Sequence, residues 1–289
     1  MRVRKEARPV RAATGLGLIA VLALLAPVLA RSRPWIEDAR GESALSAPVP
    51  WDPDAIDLER RLKPPGAGHW LGTDDLGRDV LSRLLHGARV SVGAGLLASA
   101  VALLVGSLLG ALSGLAGGRA DRAVLFAIEV VQSVPALVLV AALAAFLPPS
   151  FFLAALLIGL TAWTDSARLV RAESKRLRSA GFVEAARAAG AARGRLLLRH
   201  VLPHALPPAL ATAPYVLGAA VLTEAGLSFL GLGTPPPAAS WGRSLADARD
   251  LLIDAPWCIL PPALALVLLV LSARRLGDAV AERSRIGSA

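Results

Sequence analysis

The 289-residue chain has one cysteine, one methionine and one tyrosine, and Lys5, Lys63 and Lys175 are its only lysines. With Cys258 alone no disulfide can close among these residues, and its place at the head of an apolar run points to packing rather than redox work. None of the three lysines precedes Ser or Thr, so no Walker A loop for nucleotide can be built. His69 and His86 stand far apart, and His200 and His204 have helical spacing but are interrupted by Pro203 and lack a His-Glu-x-x-His pattern. Asp74-Asp75-Leu76-Gly77 lacks the EF-hand spacing and its closing Glu. Ser228 has Gly226 two residues before it but Leu230 two residues after, and a hydrolase elbow needs glycine at both. These absences leave no catalytic residue, no metal site and no cofactor site, and argue against an enzyme working by itself.

What is present is apolar. Hydrophobic residues make up 55% and charged residues only 18%, with a mean hydropathy of +0.57, too apolar for a soluble chain of this length. The net charge of +9 and pI near 11.1 would suit nucleic acid. However, the cations sit between apolar runs, as in the cytoplasmic loops of membrane proteins, and no nucleic-acid partner is expected.

Uncharged stretches run over Ala12–Ala30, Val90–Gly118, Val130–Thr164, Ala205–Thr223 and Ala255–Ala273, against about 20 residues per membrane crossing. The third is long enough for two, and Pro148-Pro149-Ser150 divides it, because two prolines remove backbone donors. The expectation is therefore an all-α, multi-pass protein with about six transmembrane helices. Arg2, Arg4, Lys5, Arg8 and Arg11, Arg119 with Arg122, the cations from Arg168 to Arg199, and Arg274, Arg275, Arg283 and Arg285 then lie inside, with both termini cytoplasmic. Segment 31–89 falls outside despite its arginines, offset by Glu37, Asp38, Glu42, Asp52, Asp54, Asp57 and Glu59. The first span resembles a secretory signal ending at Val28-Leu29-Ala30, but its length and the spans behind it favour retention. The reading divides the chain into an N-terminus with the first span (1–30) and an external segment with an amphipathic helix (31–89). A core (90–276) with a cytoplasmic loop at about 172–203 and a tail (277–289) follow.

Within that loop, alanines at 185, 186, 188 and 189 favour helix, Phe182, Ala186 and Ala189 fall on one face, and Gly190 permits a turn. Arg193 to His200 forms a second basic helix, and Pro203 marks entry into the next span. An amphipathic loop lying on anionic lipid is the plain alternative.

Trp163 to Arg171, the Phe182-Val183-Glu184-Ala185-Ala186-Arg187-Ala188-Ala189-Gly190 run and Arg199-His200-Val201-Leu202-Pro203 together resemble the shorter permease of the dipeptide, oligopeptide and nickel importer family. Two further blocks resemble the same family: Gly72-Thr73-Asp74-Asp75-Leu76-Gly77-Arg78-Asp79-Val80-Leu81-Ser82-Arg83, and Glu224-Ala225-Gly226-Leu227-Ser228-Phe229-Leu230-Gly231-Leu232-Gly233 with Ser240-Trp241-Gly242. The resemblance implies an ABC importer type I permease fold in a bacterial-type cytoplasmic (inner) membrane. It also implies a transport subunit without its own ATPase site, working with a homologous second permease, two cytoplasmic ATPase subunits, an extracytoplasmic solute-binding protein and membrane lipid. Phe182, Glu184, Ala185, Ala186, Gly190, Leu202 and Pro203 are then the ATPase-coupling loop, and the cargo is a peptide or, alternatively, nickel.

Read from the residues alone, Asp74, Asp75 and Asp79 favour a helix N-terminus, with Leu81, Leu84 and Leu85 as an apolar stripe along the outer membrane surface. The glycines and prolines after Glu224 imply non-helical backbone near the outer mouth of a pathway, or a rigid turn clamping two spans. Glu129, Asp165 and Glu224 lie in or beside spans, where charge faces protein or water, and are expected at a pathway or a subunit interface. A secondary, ion-coupled transporter would also place acids there, but gives no reason for the Phe182–Gly190 helix.

Overall fold

The structure, a computed structural model, describes residues 52–286 and their side chains as far as residue 282. The expected first span, its cationic flank, the acids at 37, 38 and 42, the side chains of Arg283 and Arg285 and the last three residues lie outside the described residues.

Among the described residues the secondary structure is helical, with one isolated bridge between Thr73 and Asp79 and no strand. Four helical stretches are long and apolar enough to cross a membrane: Val80–Ala116, Phe151–Leu177, Arg193–Phe229 and Pro256–Glu282. A bent pair, Gly118–Gln132 with Ala136–Ala144 at 84°, makes a fifth if counted as one span. The elements are α1 (Val80–Ala116), α2 (Gly118–Gln132), α3 (Ala136–Ala144), α4 (Phe151–Thr161), α5 (Trp163–Leu177) and α6 (Gly181–Ala188). They continue with α7 (Arg193–Phe229), α8 (Trp241–Ala248) and α9 (Leu260–Ile286).

The break at Pro148–Ser150 stands as expected, with Ser150 as the extended residue before α4. The sharper bend is elsewhere. Pro135 has extended ψ and starts α3, and a proline there can neither donate to the α2 ladder nor leave Val134 comfortably helical. The amphipathic helix expected within 31–89 is not a separate element. Val80 to Arg89 are the first turns of α1, because no proline or left-handed glycine interrupts them, and Leu81, Leu84 and Leu85 are half-buried rather than laid on an outer surface.

α1 and α5 form the spine. Gly106, Gly110 and Gly114 recur every four residues on α1, and a Cβ on any of them would run into the α5 backbone at Trp163, Ala167 and Arg171 in turn. Small residues at this spacing let two helices approach until backbone meets backbone, the usual source of cohesion where lipid removes the hydrophobic drive. At one end of this contact Arg171 holds Asp121 of α2 bidentately, at 2.5 and 2.8 Å, while Ser113 of α1 donates to the same carboxylate at 2.5 Å. That end also carries α6 and most of the exposed arginines. The opposite end carries the 52–79 segment, α8 and the start of α9.

Candidate functional site

Val183 is the anchor of α6. It is fully buried among Leu177, Leu196 and Val201, with Ala186 and Ala191 half-buried beside it. The packed face is therefore Val183 with Ala186, not the expected Phe182, Ala186 and Ala189. Phe182 is 42% exposed and Ala189 is also open, along with Glu184, Ala185, Arg187 and Ala188. The reason is that α6 is only eight residues long, so one β-branched side chain seated against α7 fixes its rotation. The remaining turn is presented outward.

The helix ends in a Schellman cap: the Ala191 amide donates to Ala186 at 3.1 Å and the Gly190 amide to Arg187 at 3.0 Å. That cap requires a left-handed residue, and Gly190 supplies φ of +79°. A Cβ on Gly190 would meet nothing within 4 Å. The glycine is there for its backbone conformation, not for close packing.

α7 begins at Arg193, so the expected second basic helix and the expected span are one continuous element. Residues Leu196–Val201 form a π-helical turn directly ahead of Pro203, whose ring tolerates no ordinary i−4 partner. The wider turn stacks Leu196 and Val201, five residues apart, against the same buried cluster under α6. Leu202 is half-buried and Pro203 exposed. The Phe182 ring lies 5.1 Å from the His204 imidazole, tilted 40°, and His204 Nδ1 is 2.8 Å from the His200 carbonyl.

At the opposite end, the Gly72–Arg83 and Glu224–Gly242 blocks converge. Asp74 accepts from the amides of Leu76 and Arg78 at 3.0 and 2.9 Å and from Arg78 Nε at 2.7 Å. Asp247 of α8 reaches Arg78 at 3.4 Å, Arg83 at 3.8 Å and Arg243 at 2.8 Å. Arg78 and Arg83 are both buried, so these charges are compensated inside the protein. Asp79 stands immediately before α1, and its carboxyl is pushed up to about 6, mainly by burial and partly by Asp74, against the amides of Ser82 and Leu81. His69 Nδ1 sits 3.8 Å from it. Burial, then Arg60 and Lys63, hold that imidazole below its ordinary value, against the pull of Asp57.

Glu224 departs from the expectation of a pathway or interface residue. It is 1% exposed, accepting from Ser91 at 2.9 Å and Ser228 at 2.7 Å. The same two hydroxyls take the amides of Trp241 and Thr234 at 3.1 and 3.2 Å. Trp241 Nε1 donates to the Leu84 carbonyl at 2.9 Å. The carboxylate is the hub joining α1, α7 and the turn into α8, so the block is a clamp inside the subunit.

Glu129 and Asp165 do lie on the exposed surface. Gln132, beside the bend, donates to Thr164 at 3.1 Å and Asp165 at 3.3 Å. Sequence reasoning missed the Gly106, Gly110, Gly114 stripe, although glycine at every fourth position was a readable signal, and it weighed His204 only as a metal ligand, not as a partner of Phe182.

Comparison with known proteins gives the family. The model of the family described as "binding-protein-dependent transport system inner membrane component" matches residues 102–286. The chain is similar to the probable D,D-dipeptide transport system permease protein DdpC of Escherichia coli, 42% identical over 80% of this chain and 79% of the relative. It is also similar to the oligopeptide transport system permease protein OppC of Bacillus subtilis, 38% identical over 74% of this chain and 70% of the relative. A solved chain of the MetNI methionine ABC transporter, in an inward-facing conformation, shares the fold with a TM-score of 0.52 at 20% identity, covering 68% of this chain and 96% of that one. The buried α1–α5 spine, the capped α6 and the α7 clamp thus sit in a chain that belongs to the binding-protein-dependent transport system inner membrane component family, the permeases of ABC importers.

Proposed function

We propose that this permease is one half of the translocation pathway of a peptide importer, paired with a homologous second permease. α6 is its point of contact with a cytoplasmic ATPase subunit. The observation that carries this reading is α6 itself: a short capped helix at the arginine-rich end, held to α7 by one buried valine and presenting Phe182, Glu184, Ala185 and Arg187 outward. An element built to be pushed needs a free face and a rigid seat, and rigid spans behind it convert that push into alternating access. The arginine-rich end is then cytoplasmic, both termini lie on that side, and the α8 end receives an extracytoplasmic solute-binding protein. Peptide is the cargo class, because the relatives named above are permeases of dipeptide and oligopeptide systems. Neither relative's name supports nickel, and an ion-coupled mechanism leaves α6 without a use.

The test uses the full importer in proteoliposomes. With Cys258 replaced by Ser, Arg187→Cys is expected to crosslink to the ATPase subunit, and Glu184→Lys to weaken ATPase co-purification or to uncouple ATP turnover from peptide uptake. Absence of any crosslink, with Glu184→Lys transporting normally, sinks the reading.

A further inference from the structure

We infer that His204 is a positioning residue for α6, acting through the Phe182 ring to fix the helix's angle on α7; this rests on the docking role proposed above. Val183 gives α6 one deep contact, and a helix of two turns seated at a single point can still rock about it. A second contact away from that point defines its orientation. The Phe182–His204 ring pair, 5.1 Å between centroids, supplies it.

His204 is itself held. Its Nδ1 lies 2.8 Å from the His200 carbonyl, which fixes the imidazole plane if Nδ1 carries the proton that the contact requires. The residue follows directly on the π-helical turn Leu196–Val201 and Pro203. One extra residue in that turn rotates everything before it relative to everything after it by most of a helical step. α6 touches α7 both at this turn and beyond it: Val183 shares a buried cluster with Leu196 and Val201, the turn's first and last residues, and Phe182 meets His204. The ring contact therefore ties the direction of α6 to the part of α7 that enters the membrane, beyond the irregular turn. Without it, a push on α6 is absorbed at the π turn instead of passing into the span.

The experiment is a double-mutant cycle in the reconstituted importer, reading peptide taken up per ATP hydrolysed. His204→Ala and Phe182→Ala are each expected to lower that ratio about two- to tenfold, the range a ring pair is worth. The double variant should do no worse than the poorer single one. His204→Phe, which keeps a ring but loses the bond to His200, is expected to recover most of the ratio. ATPase co-purification should stay at the parental level in His204→Ala and His204→Phe, which change none of the residues that α6 presents outward. Two results overturn the inference. One is a multiplicative double variant. The other is a harmful Phe182→Ala beside a silent His204→Ala, meaning that Phe182 acts only by touching the ATPase. The Arg187→Cys crosslink separates the two levels: if it forms while the cycle shows no coupling, the positioning role fails and the docking role survives. If it does not form, the docking role itself has failed.

Discussion

Two helices in this protein end in the same way but in different surroundings. α6 closes on Gly190 and α7 closes on Gly231, each with a Schellman pair of hydrogen bonds and φ near +80°. Neither glycine would bring a Cβ within 4 Å of anything. Beyond Gly231 the chain folds straight back. Thr234 caps onto Ser228, Gly233 and Gly242 lie against backbone that excludes any side chain, and Trp241 is 2% exposed. Beyond Gly190 it does no such thing: three residues later it is already in α7, and most of α6 is open. One cap terminates a helix inside a clamp, while the other leaves a short helix standing clear. The local device is neutral, and the surroundings decide whether it stiffens a frame or offers a handle.

The clamp end should break hardest. Asp74→Ala leaves Arg78 and Arg83 buried with Asp247, the peripheral Asp54 and Asp75, 3.9 Å from Arg78, to answer them. Removing one member of a buried charge set costs about 3–5 kcal/mol, and the remaining partners place this change at the low end. A large fall in thermal stability of the purified permease is the expected reading; an unchanged melting temperature would mean that Asp247, Asp75 and Asp54 suffice for both arginines. Gly242→Ala comes next. Its Cβ collides with the Ala225 backbone, where no side-chain rotation gives relief, so a loss of about 1–3 kcal/mol is expected.

Smaller effects at the same end come from His69 and Asp79, which respond to pH in opposite senses. In Asp79→Asn only the imidazole remains, held below its ordinary 6.5 in the folded protein. The unfolded chain takes up a proton first, so stability should fall as pH drops from 7 to 5. In His69→Gln only the carboxyl remains, raised from 3.8 to about 6. Here the folded chain binds the proton first, so stability should rise as pH falls through 6. Parallel melting curves at pH 7 and 5 for the two variants test both signs, and matching slopes would show that the pair titrates as one unit.

The membrane spans of the described region were legible because apolar runs and a proline doublet are long-range signals that packing rarely overrides. So was α6 with its terminal glycine. Three features were not. Pro135 lay inside a run already explained by Pro148 and Pro149, so the 84° bend went unforeseen. The face of α6 was misjudged because alanines fit either side of a helix equally well, and only the socket made by Leu196 and Val201 selects Val183. Glu224 looked like a pathway acid because sequence shows a charge beside a span, but not the hydroxyls of Ser91 and Ser228 that let it be buried. Each miss depends on partners distant in the chain, which periodicity does not report.

The sharpest test of the comparison uses the smallest perturbation. Gly190→Ala and Gly231→Ala both force a side chain into the left-handed region, costing about 1–2 kcal/mol, and both Cβ atoms enter open space. Their melting temperatures should fall by similar, modest amounts, with Gly190→Asn milder because asparagine accepts this conformation more readily. Transport should not follow stability. A charged Gly190→Asp adds a carboxylate beside the open face of α6 and is expected to abolish uptake while membrane insertion persists. Gly231→Asp, equally strained but at the clamp end, should retain most of it. Uptake lost equally at both positions would mean that strain alone explains the defect and that the open face has no special role. Uptake lost only at Gly190 would locate function in what surrounds the cap, since the cap itself is the same.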